Sequence, residues 1–341
     1  MGGPDQGDWR DRELKKLIGA LAVALNIFRG EPGIARPRFA SKRIAARTEL
    51  HPVRTLTISD HQFLTGDTTG VPVTICGHFR IAQGAGRLPV VVLQHGSSGY
   101  GANIDVWSRE LNALGISTFA LDGFTGRGLI EVNTNQSLLG RLNFILDLYG
   151  ALEVLGGHAR VDPGRIAVMG FSRGGQAALY AALKRFDRLW NKSGVEFAAY
   201  LSFYPNCMTT YLIDHQIVDR PIRIFCGTLD DCNPIDACRT YAERLRAAGY
   251  DVELIEYRDA SHAFDNPLAP RPAALLAEFQ SLRNCRVREE SEGYLINDNT
   301  KQPFCYDDTV VAYGTHLGYD PAADLAAKFF VKTFLTSQFK L

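Results

Sequence analysis

Residues 165–186 read RIAVMGFSRGGQAALYAALKRF. An apolar run climbs to Gly170, passes Ser172, meets Gly174 and Gly175, and continues with helical spacing. Gly170-Phe171-Ser172-Arg173-Gly174 is therefore G-x-S-x-G at a strand-to-helix junction, the context in which this motif forms a nucleophile elbow. A serine there sits on a sharp, strained turn, and side chains on its neighbours would collide with the adjoining strand and helix. The turn lifts the Ser172 hydroxyl over the sheet. It also places the Arg173 N–H at a helix N-terminus, where it can receive an oxyanion. A phosphate loop or a plain tight turn would also use glycines, but the flanking strand and helix favour the elbow.

The rest of the chain supplies the sheet that such an elbow needs. TLTISD and VPVTICGHFRIA alternate like antiparallel edge strands. RLPVVVLQHG and ISTFALD are continuous apolar runs, as strands buried on both faces should be. NIDVWSRELNALG, SLLGRLNFILDLYGALEVLGGH, GGQAALYAALKRF and IDACRTYAERLRAAG read as helices. EFAAYLSFYP, PIRIFCGTLDD and DVELIEYRDA read as further strands. Strand and helix alternate, which predicts a mostly parallel central sheet with helices on both faces. In such sheets the chemistry lies at the carboxyl ends of the strands.

A serine needs a base, and the base needs an orienting acid; in this order of elements they follow as acid, then histidine. IFCGTLDDCNP ends a strand with Asp230 and Asp231. EYRDASHAFDNP ends another with His262 in a short polar loop. His51, His61, His78, His158 and His215 do not follow the acid loop, and His316 falls in a later segment.

GFSRGG, GTLDDCNP and DASHAFDNP together resemble the dienelactone hydrolase family of α/β-hydrolases, over roughly residues 55–284 and the final helix. The resemblance implies an α/β-hydrolase fold and a Ser172–Asp230–His262 triad. Asp230 is favoured over Asp231 by its placement between Gly227 and Pro234, with Asp231 bracing the loop. QHGSSGYG resembles the family's HG-x-x-G loop, which implies Ser97 as a second backbone oxyanion donor and His95 as a buttress. Archetypal members carry cysteine as nucleophile; Ser172 points to the serine-bearing relatives, commonly esterases. The implied chemistry is attack by Ser172 on an ester or lactone, an acyl-enzyme, and release by water activated by His262. No metal or organic cofactor is implied. Amide or thioester hydrolysis or acyl transfer on the same triad, and a non-catalytic binding protein on this fold, are the alternatives. Candidate pocket walls are Tyr100, Trp107, Phe124, Arg127, Phe203 and Tyr204; each could equally be packing, and Arg127 could brace its own loop instead of meeting a substrate carboxylate.

Lys plus Arg and Asp plus Glu each number 37. Nothing in this balance suggests a nucleic-acid partner. The start is less ordinary: Arg12, Lys15 and Lys16 precede an apolar run from Leu17 to Phe28, the shape of a secretory signal and too short for a membrane span. An amphipathic helix would read similarly. The expected organisation is a signal-like or flexible segment at 1–40, a core at 41–284, a hairpin-like insert at 285–320 and a final helix at 321–341. Oligomeric state is left open.

Seven cysteines occur without a C-x-x-C pair, which argues against zinc. Two expected bridges, Cys207–Cys238 between neighbouring strand ends and Cys285–Cys305 across the insert, go with a periplasmic or secreted protein. Pairs of this kind also occur in exported proteins of the resembling family. Cys76, Cys226 and Cys232 are left as thiols. A cytoplasmic enzyme with all seven reduced is the alternative.

Overall fold

The computed structural model describes residues 44–341. The signal-like segment expected at 1–40 lies outside the described residues.

Eight strands form one sheet: β1 (Arg47–Thr57), β2 (Val71–Ile81), β3 (Leu88–Gln94), β4 (Ser117–Asp122), β5 (Val161–Phe171), β6 (Ala199–Phe203), β8 (Ile222–Gly227) and β9 (Val252–Tyr257). Their order is β1-β2-β4-β3-β5-β6-β8-β9. Only β2 runs against its neighbours; β4, β3, β5, β6, β8 and β9 are mutually parallel. The apolar runs explain why. Val90 and Val92 point into one core with Val168 and Tyr200, while Val91 and Leu93 point into the other with Ala167, Met169 and Leu201. A strand buried on both faces has no reason to alternate polar with apolar.

Helices cover each face. α2 (Ala102–Asn112) and α7 (Pro321–Phe339) give Ile104, Trp107, Leu111, Ala327, Val331 and Leu335 to one core. The other core takes the inner faces of α3 (Asn143–Gly156), α4 (Arg173–Tyr180) and α6 (Ile235–Ala247). Two short helices, α1 (Asp60–Thr65) and α5 (Lys184–Trp190), complete the set.

Helix lengths differ from the sequence reading. The helix expected from Ser137 begins only at Asn143. Gly140 packs against the Ile58 carbonyl, and the Asn143 amide bonds both the Ile58 carbonyl and the Gly140 carbonyl, which fixes a turn before the helix. The helix expected through Phe186 breaks at Leu183, which is extended and bridges Ile217.

Beyond β9 the chain departs from the alternating pattern. β10 (Ala274–Ser281) pairs with β14 (Ala312–Leu317), so strand pairing crosses the border expected at 284/285. The expected hairpin is a three-stranded meander, β11 (Val287–Glu289), β12 (Leu295–Asn297) and β13 (Gln302–Pro303). Its β11 also runs parallel to the two-residue β7 (Thr209–Thr210).

All seven cysteines are thiols. Cys207 and Cys238 do come together, with sulfurs 3.3 Å apart, but as a thiol–thiol contact and not the expected bond; burial pushes the Cys207 thiol well above its ordinary value. Cys285 is buried whereas Cys305 is exposed, its sulfur facing Asp308, so the second expected bridge is likewise not formed.

Candidate active site

Three strand ends meet above the sheet. β5 delivers Ser172, whose φ of 55° and ψ of −116° lie in a region an L-residue enters only under strain. The surrounding glycines show what holds it there. A Cβ on Gly170 would run into the Gly174 carbonyl, one on Gly174 into the carbonyls of Gln94 and His95, and one on Gly175 into the Phe203 carbonyl. The Ser172 N–H is tied to the Phe203 carbonyl at 2.9 Å.

β8 delivers Asp230 and the loop after β9 delivers His262; both are buried. His262 Nδ1 lies 2.8 Å from Asp230 Oδ2 and Nε2 lies 3.0 Å from Ser172 Oγ. A carboxylate only accepts, so Nδ1 carries the proton and Nε2 is left to accept from the serine hydroxyl. The other Asp230 oxygen accepts the N–H groups of Cys232 and Asn233, which fixes the carboxylate plane. Tyr204 packs against the imidazole at a tilt of 59°, with ring centroids 4.6 Å apart. Its hydroxyl donates at 2.6 Å to the buried Asp265, which also accepts from the Trp107 indole N–H. Burial raises the Asp265 pKa even though both donors pull it down.

Asp231 goes elsewhere. It accepts from Thr315 and from the His316 backbone, and faces His316 Nδ1 at 2.8 Å near the surface. That ties the acid loop to β14, the bracing role expected of it. His95 also does what the loop resemblance implied. Its Nε2 accepts the Gly123 N–H, so Nδ1 carries the proton and donates to the Gly96 carbonyl at 2.8 Å. Burial holds His95 below its ordinary pKa, in the neutral form that both bonds require.

Ser97 and Arg173 flank Ser172. Gly96 lets this loop approach: a Cβ there would stand 3.0 Å from the Phe171 carbonyl and 3.1 Å from the Ser172 Cβ. Among the described residues neither the Ser97 nor the Arg173 N–H has a hydrogen-bond acceptor. The Arg173 guanidinium is turned away and donates to the carbonyls of Gln136 and Leu139.

The candidate pocket walls fare differently. Tyr204 lines the cavity over Ser172, together with Asn103, Ala263, Asn266, Phe279 and Leu317. Trp107, Phe124 and Phe203 do not; all three are buried in the cores, where dense packing leaves no face for a ligand. Tyr100 packs against His78, outside the cavity. Arg127 is the clearest correction. It makes a bidentate pair with Asp147, and its remaining donors go to Gly123, Leu56 and Thr57, so all five N–H groups are used inside the protein. It braces its loop.

Asn103, Asn266, Phe279 and Leu317 went unnoticed in the sequence. Asn266 was within reach, four residues beyond His262 in the same polar loop. Phe279 and Leu317 come from the β10–β14 pair, which carries no local signal of its destination.

Glu49, His51 and His158 form one cluster in which a metal could be sought, with donor atoms within 4.8 Å of one another. Its hydrogen bonds favour a different reading. His158 Nδ1 accepts the Arg160 N–H, so its Nε2 carries a proton toward Glu49 and is not free to ligate. Burial raises the Glu49 carboxyl, but His51, Arg47 and His158 outweigh that and bring it down to about 2. The cluster is a satisfied ion network.

A strained serine elbow at the end of the middle strand of this sheet, in this strand order, defines an α/β-hydrolase. The family model of the dienelactone hydrolase family matches residues 77–286. The chain belongs to that family, whose members hydrolyse carboxylic esters. Among solved structures, a dienelactone hydrolase-like promiscuous phosphotriesterase from metagenomic libraries is 16% identical, covers 85% of this chain and 98% of its own, and has a TM-score of 0.57. The structure named m3DLH is 20% identical, with the same coverage of 85% and 98% and a TM-score of 0.54. A thermophilic esterase from Thermogutta terrifontis is 18% identical, covers 57% of this chain and 80% of its own, with a TM-score of 0.45. No curated protein matches the chain.

Proposed function

We propose that this protein hydrolyses small carboxylic esters or lactones with Ser172 as nucleophile, His262 as general base and acid, and Asp230 as the group that orients His262. The observation that carries the reading is the unbroken chain Ser172 Oγ–His262 Nε2–Nδ1–Asp230 Oδ2, at 3.0 and 2.8 Å, built on a strained elbow. His262 takes the serine proton as Ser172 attacks the acyl carbon. The negative charge passes to the acyl oxygen, which the N–H groups of Ser97 and Arg173 receive. His262 then protonates the departing alkoxide. In the second half it takes a proton from water, which attacks the acyl-enzyme and frees Ser172. Each oxyanion donor contributes about 10²–10³ in turnover. The cavity above Ser172 has a free volume of only about 60 Å³, which favours compact substrates.

The test is a series of p-nitrophenyl esters of rising acyl length beside matched p-nitroanilides. Turnover of short esters that is lost in Ser172→Ala supports the proposal. Faster cleavage of anilides than esters would move the reaction to amides.

A further inference from the structure

Ser172 stands between two chambers. The first is the cavity under Tyr204 and Leu317 already described. The second is lined by Arg141, Gln176, Asn206, Asn233 and Gln280, and shares Ser97, Ser172 and Phe279 with the first. Its character is different. The first has Phe171, Tyr204, Ala263 and Leu317 in its walls; the second is mostly polar, with Phe279, Leu282 and Cys232 as its apolar walls.

Two donors in this second chamber have no partner among the described residues: Gln176 Nε2 and Arg141 Nε. Both side chains are more than nine-tenths buried. Leaving a buried donor unpaired costs about 1–3 kcal/mol, so two such donors beside one nucleophile call for an acceptor there. Gln176 is on the first turns of α4, four residues after Ser172, and Arg141 precedes α3 with one nitrogen already given to Thr209 Oγ1. The free volume is about 20 Å³, room for a single water-sized group.

We infer that this second chamber is a subsite for one neutral oxygen acceptor of the substrate, an ether or carbonyl oxygen close to the scissile ester, held by Gln176 and Arg141. The inference rests on Ser172 being the nucleophile. Volume limits the ligand class, because the chamber has room for one small polar group of the substrate and not for a long chain. The preference for that oxygen follows from the unpaired donors: a site built to hydrogen-bond a group discriminates strongly against the isostere that lacks it.

The experiment uses isosteric pairs on the full chain: methyl methoxyacetate against methyl butyrate, and 2-methoxyethyl acetate against butyl acetate. Each kcat/KM is divided by the alkaline hydrolysis rate of the same ester, which removes intrinsic reactivity. The wild type is expected to favour the ether member of one pair by about tenfold or more, and Gln176→Leu to erase that preference while leaving the apolar member within about threefold. The apolar member reports on folding of the variant, and Arg141→Met provides a second variant with the same expectation. Equal use of both members by the wild type, or a preference that survives both substitutions, overturns the subsite and leaves the hydrolase reading standing. If none of the four esters is turned over in a Ser172-dependent way, the hydrolase reading itself fails and the subsite with it.

Discussion

Asp230 and Asp231 are neighbours in the chain, and each faces a histidine nitrogen at 2.8 Å, yet they serve different regions of the molecule. The Asp230–His262 pair is sealed, with side-chain exposures of 0% and 3%, and its far end touches a serine hydroxyl. The Asp231–His316 pair is open to solvent, with side-chain exposures of 39% and 49%, and ends on a strand of the C-terminal addition. Distance does not separate them. Burial and the third partner do. The sealed pair can hold a proton-transfer geometry against water; the open pair can only tie two loops together.

The largest effect expected from that contrast is on turnover. Asp230→Asn should lower kcat about 10³–10⁴-fold, because the asparagine no longer holds the required tautomer. Asp231→Asn should stay within about threefold. Steady-state kinetics on one short ester decides it, and reversed results would exchange the two roles.

A second expectation extends the contrast to ion pairs that take no part in catalysis. Arg127–Asp147 is sealed, and breaking it with Arg127→Met leaves a buried carboxylate, at a cost of about 3–5 kcal/mol in urea unfolding. Arg239–Glu256 is on the surface, and Arg239→Met should cost under about 1 kcal/mol. Similar losses in both would show that burial is not what separates the pairs.

The smallest effect concerns pH. Burial raises the Asp231 carboxyl, but hydrogen bonds from His316 and Thr315 outweigh it and hold the group below its ordinary value of 3.8. A lowered carboxyl contributes stability that is present above 3.8 and fades as pH falls through its folded-state value. The stability difference between wild type and Asp231→Asn should therefore shrink between pH 6 and pH 3. It should not exceed about 1 kcal/mol, since both side chains are solvent-exposed. A difference that grows on acidification would contradict the sign.

The sequence showed the sealed region well because its demands are local. A strained serine needs glycines at fixed positions, and strands buried on both faces must be apolar throughout, so Gly170, Gly174 and the Val90–Leu93 run were visible as patterns. His262 followed from its place at a strand end; the acid strand end offered Asp230 and Asp231 alike, and only the family resemblance favoured Asp230. The pocket walls were not legible, because an aromatic residue at a strand end reads the same whether it faces a ligand or a helix. Trp107, Phe124 and Phe203 turn inward for packing reasons that only the tertiary fold sets. Arg127 reads equally as a substrate anchor or a loop brace, because its partner Asp147 lies twenty residues on and nothing local marks the pair. Phe279 and Leu317 arrive through β10 and β14, whose pairing spans about 40 residues and leaves no short-range trace.

The central claim is that Ser172 is the one activated hydroxyl. A fluorophosphonate reacts covalently with such a serine and leaves a mass tag that peptide mapping can place. The account predicts a single adduct per chain, on Ser172, formed rapidly by the wild type and by Asp231→Asn, strongly slowed in Asp230→Asn, and absent in Ser172→Ala. An adduct on another residue, or labelling of Ser172→Ala at the wild-type rate, would contradict it.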